Sequence, residues 1–369
     1  MQLLKAPRDQ LLRPLMMVSG IVERRHTLPI LANVLIRKLG SQVSLVASDI
    51  EVQITTQLDH GVDETGVETT VAARKLLDIL RALPESSDVE VQLVDGRLSL
   101  LSGKSRFALQ TLDAADFPAA RIPAQWDVSL TMTQKALKHL FNNVHYAMAQ
   151  QDIRYYLNGL LLVFQPGRVL AVATDGHRLA HDGVAVDGVA QALDIIVPRK
   201  TVLEMQRLLE DSDEPVHIDV GGNQIRFRFA GIELISKLVE GKFPDFTRVI
   251  PSHYQCHFNV GRERLQGSLQ RAAILAADRL KGVRLEIADG LLTISATNAE
   301  QEEAREEIEI EYAHAPIDVG FNVTYLLDVL GGLRGDMVRW SVEPGQNSSV
   351  LITSPDDDQF KYVVMPMRI

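Results

Sequence analysis

"LAVATDGHRL", residues 170–179, reads as an apolar strand that closes in Ala-Thr-Asp-Gly. Taken alone it invites a catalytic reading, with Asp175 orienting His177 as a general base and Arg178 holding a substrate anion. The rest of the chain argues otherwise. The same shape stands at 44–52, "SLVASDIEV", and at 292–301, "LTISATNAEQ", with Asp49 and Asp175 126 residues apart and Asp175 and Asn298 123 apart. A catalytic group belongs to one place, whereas a turn that the fold needs recurs. Asp175 therefore reads as a turn residue whose carboxylate bonds local amides. His177, Arg178 and Leu179 have no counterpart in the other copies, and that departure reads as a local binding role.

Other landmarks recur in register. "VAARKLLDILRALP" from Val71, "IVPRKTVLEMQRLLE" from Ile196 and "GFNVTYLLDVLGGLR" from Gly320 each read as a short extended lead-in to an amphipathic helix. "SRFALQTLDAADFP", "IELISKLVEGKFPDF" and "FKYVVMPMRI" are alternating strands that each meet a proline. Each copy also begins with a strand and a longer helix, as in "VSLTMTQKALKHLFNNVHYAM" and "CHFNVGRERLQGSLQRAAIL". The unit reads strand, helix, three strands, helix, three strands. This is an α+β repeat of ordinary domain size, and the expected domains are 1–127, 128–246 and 247–369.

Composition excludes several classes. A single cysteine, Cys256, allows no internal disulfide framework and no cysteine-based zinc site. The first 20 residues carry scattered charges and do not read as a signal peptide, and no run is long enough to span a bilayer, so a cytoplasmic protein without membrane contact is expected. "SGKS" at 102–105 lacks the phosphate-loop glycine, since Leu98 stands at its position. The ten histidines show no metal-binding pair, and the carboxylates Glu300, Glu302, Glu303, Glu306 and Glu307 read as a solvated or interface face. No cofactor, metal or catalytic residue is expected.

The formal charge of −10 argues against nucleic acid until its distribution is considered. Six helices are predicted, at 9–18, 74–82, 134–148, 199–209, 262–275 and 323–334, and they hold thirteen Lys or Arg against five acids. Helices favour Glu as readily as Lys, so propensity does not explain the bias. Basic helices in an acidic remainder suit sequence-independent contact with a phosphate backbone.

With these repeats and the stretches "HTLPILANVLI", "QDIRYYLNG", "ATDGHRLA", "SKLVEGKFPDF", "RAAIL" and "YVVMPMRI", the chain resembles the bacterial beta sliding clamps, processivity subunits of DNA polymerase III. The resemblance covers essentially the whole chain. It implies a head-to-tail homodimer closed into a ring, with helices lining the hole, sheets outside and duplex DNA inside. It also implies a replicative polymerase held there, a separate ATP-driven clamp loader, and other polymerases and repair proteins bound through short linear peptides.

Carried over, the DNA contacts are Arg24, Arg74, Gln151, Tyr155, Tyr156, Arg199, Lys200 and Arg207. The dimer contact joins Lys75, Arg106, Phe107 and Leu109 to Ile274, Leu275, Glu300, Glu302 and Glu303, opposite charges around an apolar centre. The peptide cleft takes Leu157, Thr174, Gly176, His177, Arg178, Leu179, Pro244, Arg248, Val249, Asn322, Tyr325, Ser349, Val363, Val364, Met365, Pro366, Met367 and Arg368. Two departures stand out: Ile369 where leucine is common, and Gly331–Gly332, expected to loosen the last helix. The alternatives are a hydrolase or transferase using Asp175 and His177, and a monomeric peptide-binding scaffold with no DNA role.

Overall fold

The computed structural model describes all residues except 24–27, 63–64, 190, 252, 277–280, 344–347 and 369. The first repeat holds β1 (Gln2–Pro7), α1 (Arg8–Ser19), β2 (Asn33–Leu39), β3 (Gln42–Ser48), β4 (Val52–Leu58), β5 (Val67–Ala72), α2 (Ala73–Ala82), β6 (Asp88–Val94), β7 (Arg97–Ser102) and β8 (Ser105–Leu112). The second holds β9 (Val128–Thr133), α3 (Gln134–Val144), β10 (Gly159–Gln165), β11 (Arg168–Thr174), β12 (Arg178–Ala185), β13 (Leu193–Pro198), α4 (Arg199–Leu208), β14 (Pro215–Gly221), β15 (Gln224–Phe229) and β16 (Ile232–Lys237). The third holds β17 (Cys256–Gly261), α5 (Arg262–Ala273), β18 (Gly282–Ala288), β19 (Leu291–Thr297), β20 (Glu303–Glu309), β21 (Ile317–Asn322), α6 (Val323–Gly332), β22 (Met337–Val342), β23 (Val350–Ser354) and β24 (Asp357–Val364).

The order is one strand richer than expected. The lead-in to each second helix is a full strand, because "VETTVA", "LDIIVP" and "IDVGFN" each pair antiparallel with the first strand of the preceding meander. Pairing along its whole length with that strand makes the lead-in a strand rather than a loop.

The chain packs as two compact units, residues 1–135 with 207–238 and residues 136–206 with 239–369. The first unit holds a 12-stranded sheet, ordered β1-β6-β7-β8-β5-β2-β3-β4-β16-β15-β14-β9. The second holds an 8-stranded sheet, β13-β10-β11-β12-β24-β23-β22-β17, and a 4-stranded sheet, β20-β19-β18-β21. One rule joins successive repeats: the last strand of one meander pairs with the last strand of the next repeat, β4 with β16 and β12 with β24. By that rule β20 lacks its partner and lies at the edge of its sheet, and β8 has an open edge over most of its length, since it meets β5 only at Thr70 and Val71.

Each helix turns an apolar stripe inward, for example Leu11, Leu15 and Val18 of α1 against Leu76, Leu77 and Leu80 of α2. The first residue of the first helix in each repeat closes the end of the second. Arg8 donates to Leu80 O at 2.8 Å and Arg81 O at 3.2 Å, and Arg262 donates to Leu330 O at 3.3 Å and Gly335 O at 2.8 Å. In the middle repeat Gln134 does this in reverse, accepting from Glu210 N at 3.0 Å. Arginine there satisfies C-terminal carbonyls and the helix dipole together.

The observed helices still hold thirteen basic residues against five acids, Arg8 having entered and Arg334 having left. Arg8 and Arg262, however, are committed to the fold rather than to a surface. Gly331 and Gly332 are the last residues of α6, so they do not weaken its middle; a Cβ on Gly332 would stand 3.1 Å from the Tyr146 ring, and its smallness admits that ring. Among the described residues no helix is long and apolar enough to cross a membrane.

Candidate functional site

The Ala-Thr-Asp-Gly corner is a side-chain-closed turn. Asp175 Oδ1 accepts from the amides of His177 at 2.9 Å and Arg178 at 3.1 Å, while Thr174 Oγ1 donates to Arg178 O at 2.6 Å and accepts from Gly176 N. The first repeat builds the same corner: Asp49 Oδ1 accepts from Glu51 N at 3.0 Å and Val52 N at 2.6 Å, and Ser48 Oγ accepts from Ile50 N at 3.1 Å. In the third, Asn298 Oδ1 takes Glu302 N at 2.8 Å. The recurring aspartate is thus a turn residue. Both oxygens of the Asp175 carboxylate are engaged, Oδ1 by these amides and Oδ2 by Arg178.

Arg178 carries what the middle copy adds. Its guanidinium donates to Asp175 Oδ2 at 3.1 Å, Asp328 Oδ2 at 2.6 Å and Tyr146 O at 2.5 Å, and lies 4.3 Å from the centre of the Tyr325 ring. Burial opposes its charge, yet the surrounding acceptors hold its pKa above the ordinary arginine value. Burial also pushes the phenols of Tyr146, Tyr325 and Tyr362 up, so all three stay neutral. Arg178 was expected in the cleft wall. It is buried, and its Nε, Nη1 and Nη2 are turned to Asp175, Asp328 and the Tyr146 carbonyl.

Beside this clasp lies one apolar cluster. Leu157, Leu179 and Val363 join Leu161, Val172 and Phe243 in it, with Tyr156, Phe246, Ile250 and Leu351 packed against its margin. The expected cleft residues fall into two groups around it. Leu157, Leu179, Val363 and Val364 are buried, and Thr174 is nearly so. Gly176, His177, Pro244, Arg248, Val249, Met365 and Arg368 are exposed, with Tyr325, Ser349, Pro366 and Met367 between. Asn322 caps α6 by accepting from Thr324 N at 2.9 Å. Arg248 pairs with Asp245 at 2.9 Å.

The chain end beyond β24 lies along this region. Met365 N donates to His177 O at 2.9 Å, and Met367 N to Gly320 O at 2.8 Å. Pro366 between them has no amide to leave unpaired.

The loop ahead of β10 presents Gln151, Ile153 and Tyr155 outward, with Gln151 in the left-handed region at φ 55°. Tyr155 and Tyr156 meet edge to face, 5.9 Å apart. The Arg154 guanidinium beside Asp152 holds that carboxyl down to about 2. Arg74 and Lys75 stand exposed on α2 and Arg207 on α4, where it donates to Met17 O at 2.7 Å. Arg199 and Lys200 are half-buried, Arg199 reaching Met148 O at 3.4 Å. Arg24 lies outside the described residues.

Arg106, Phe107 and Leu109 sit on β8, and Glu303 opens β20. Glu300 and Glu302 are exposed just before it, and Ile274 at the end of α5 is 72% exposed beside the half-buried Leu275. Sequence reasoning missed Asp328, Tyr146, Tyr362 and Arg154. Asp328 contacts Arg178 across 150 positions of chain, for which no local pattern exists.

Three tandem α+β repeats, joined strand to strand and each with a side-chain-closed corner at the same place, define a DNA-clamp protein. Three descriptions match in chain order: DNA polymerase III beta subunit, N-terminal domain, over residues 3–121, central domain over 131–245, and C-terminal domain over 247–368. The chain is 43% identical to the beta sliding clamp of Pseudomonas aeruginosa and 41% identical to that of Escherichia coli, with 98% of each chain covered in both cases. A crystal structure of the Pseudomonas aeruginosa DNA polymerase sliding clamp with ligand superposes at a TM-score of 0.95, with 41% identity and full coverage of both chains. The Caulobacter crescentus pol III beta structure gives 0.93 at 34% identity, again over both full chains. The chain belongs to the beta sliding clamp family, the beta subunits of DNA polymerase III.

Proposed function

We propose that two copies close head to tail into a ring around duplex DNA and hold the replicative polymerase there, without catalysis of their own, in the cytoplasm. The observation that carries the reading is the joining rule. Each meander end pairs with the last strand of the next repeat, and the rule leaves β20 and β8 open. A head-to-tail contact sets β20 of one copy against β8 of another, and a heterologous contact that closes gives a ring. β20 and its approach are acidic and β8 carries Arg106, with Phe107, Leu109, Ile274 and Leu275 between, a complementary pairing around an apolar centre. Lys75 joins the basic side.

In this reading the three domains meet near residues 127 and 246. Arg24, Arg74, Gln151, Tyr155, Tyr156, Arg199, Lys200 and Arg207 contact phosphates without reading sequence. The apolar floor at Leu157, Leu179 and Val363, with the exposed His177, Val249 and Met365 above it, takes short linear peptides from polymerases, repair proteins and an ATP-driven loader. Methionine and valine there fit more than one side chain.

Light scattering from micromolar to nanomolar concentration tests the ring. A mass near twice the 40.9 kDa chain is expected, with retention on nicked circular DNA that is lost on linearisation. A monomer at every concentration overturns the reading.

A further inference from the structure

Away from the cleft, three elements of the second unit bring a histidine and two aspartates together. His139 on α3, Asp182 on β12 and Asp357 at the start of β24 place their donor atoms within 4.8 Å of one another. His139 Nε2 stands 3.6 Å from Asp182 Oδ2 and 3.9 Å from Asp357 Oδ2. The Asp182 side chain is only 1% exposed, whereas His139 and Asp357 are about one-third exposed, at 33% and 31%. One face of the cluster is thus built into the core and the other is open to ions.

The contacts of Asp182 are those of an oriented ligand. Its Oδ1 accepts from Gly183 N at 2.7 Å, and its Oδ2 accepts from Asn143 Nδ2, also at 2.7 Å. The same amide nitrogen lies 3.0 Å from His139 Nε2 and donates to its lone pair, so an ion would take that lone pair in exchange for the Asn143 bond while Asn143 keeps its bond to Asp182. A carboxylate this deeply buried is costly unless a cation compensates it. The ionisable partner within ion-pair reach is the imidazole, which as a neutral ring offers a lone pair and no charge.

We infer that His139, Asp182 and Asp357 form a binding site for a divalent transition cation, zinc by donor set, with Asn143 orienting Asp182 from outside the coordination shell. One imidazole and two carboxylates leave a fourth tetrahedral position for water. Zinc bonds of roughly 2.0–2.2 Å set donors about 3.3–3.6 Å apart, so the cluster, whose donors now lie within 4.8 Å of one another, closes on the ion when the partly exposed His139 and Asp357 side chains move in by up to about 1 Å. The ion would staple α3 and β12 of the second repeat to β24 of the third. The β12–β24 ladder runs from Arg178 opposite Val364 to His181 opposite Lys361, and the cluster lies at its far end from the cleft residues. It would fix that seam where Arg178 fixes the other end.

The test uses the full chain stripped with chelator and then titrated with Zn²⁺ or Co²⁺. One zinc per chain is expected at micromolar concentration, together with a rise in melting temperature and the visible absorption of four-coordinate cobalt. His139→Gln and Asp357→Asn, both at partly exposed positions, each lower the affinity tenfold or more and remove the cobalt bands while circular dichroism is unchanged. Absence of a saturable site at micromolar zinc overturns the inference. So does a site whose affinity neither variant alters.

Discussion

The corner at Ser48–Asp49–Ile50 and the corner at Thr174–Asp175–Gly176 are the same turn carrying different loads. In both, a hydroxyl and a carboxylate close the backbone on itself. In the second, Arg178 reaches back to the carboxylate and on to Asp328, and Arg154 donates to Asp175 O at 3.3 Å. The residue between differs as well: Ile50 holds φ at 79° and Gly176 at 89°. A branched side chain in the left-handed region is strained, and glycine is not. The shared part is therefore the demand of the repeat, and the Arg178 contacts belong to the middle copy, since Val52 stands at the matching place in the first.

Removing the load should have the largest effect. Arg178→Ala leaves the partly exposed Asp328 and the Tyr146 carbonyl without their donor, and a loss of about 3 kcal/mol is expected in urea unfolding. In the first repeat Asp49→Ala takes the turn's acceptor from the Glu51 and Val52 amides, so it should cost at least a lost cap, about 1 kcal/mol. Equal losses at the two sites would show that Arg178 adds nothing to the turn.

Exchanging the middle residues comes next. Gly176→Ile forces a branched residue to φ 89° and sets its Cβ 3.1 Å from an Arg154 nitrogen, so about 1–3 kcal/mol of destabilisation is expected. Ile50→Gly should go the other way, relieving strain against the greater chain entropy of glycine, for a net gain of up to about 1 kcal/mol. Melting temperatures of the two single variants, read side by side, check both signs. A loss at Ile50→Gly would mean that the 42% exposed isoleucine packs well enough to outweigh its backbone.

Much of this was legible in the chain because it is periodic or local. The repeat, the helices and the role of Asp175 all follow from patterns that span a few turns of chain. The lead-in strands were read too short, because their partners β2, β10 and β18 lie far off in sequence. The Arg178–Asp328 pair and the His139, Asp182 and Asp357 cluster were invisible for the same reason, since each joins elements far apart in the chain, α6 to β12 in the first and α3, β12 and β24 in the second. The thirteen basic helix residues were countable, but the capping by Arg8 and Arg262 was not, because a charge count does not distinguish a surface cation from one that closes a helix.

The smallest effect sharpens the comparison from outside the turn. Asp152 holds Arg154 over the second corner through a bond of 2.8 Å, and the hydrogen bonds from Arg154 bring its pKa down from 3.8 to about 2. A carboxyl depressed in the folded state contributes stability above its unfolded pKa and loses it as pH falls through the folded one. The window here is therefore pH 3.8 down to about 2, with no change at neutrality. Because the pair is open to solvent, the readout is the carboxyl titration by NMR rather than unfolding. A midpoint near 2 is expected, rising part of the way toward the ordinary carboxylate range in Arg154→Ala, where the amide of residue 154 still donates to Asp152. The Gly176 amide shift should follow the same midpoint in the parent chain, since the guanidinium leaves the corner when Asp152 takes its proton. A Gly176 amide that ignores this titration would mean that Arg154 holds the corner without Asp152, and the added load would then rest on Arg178 alone.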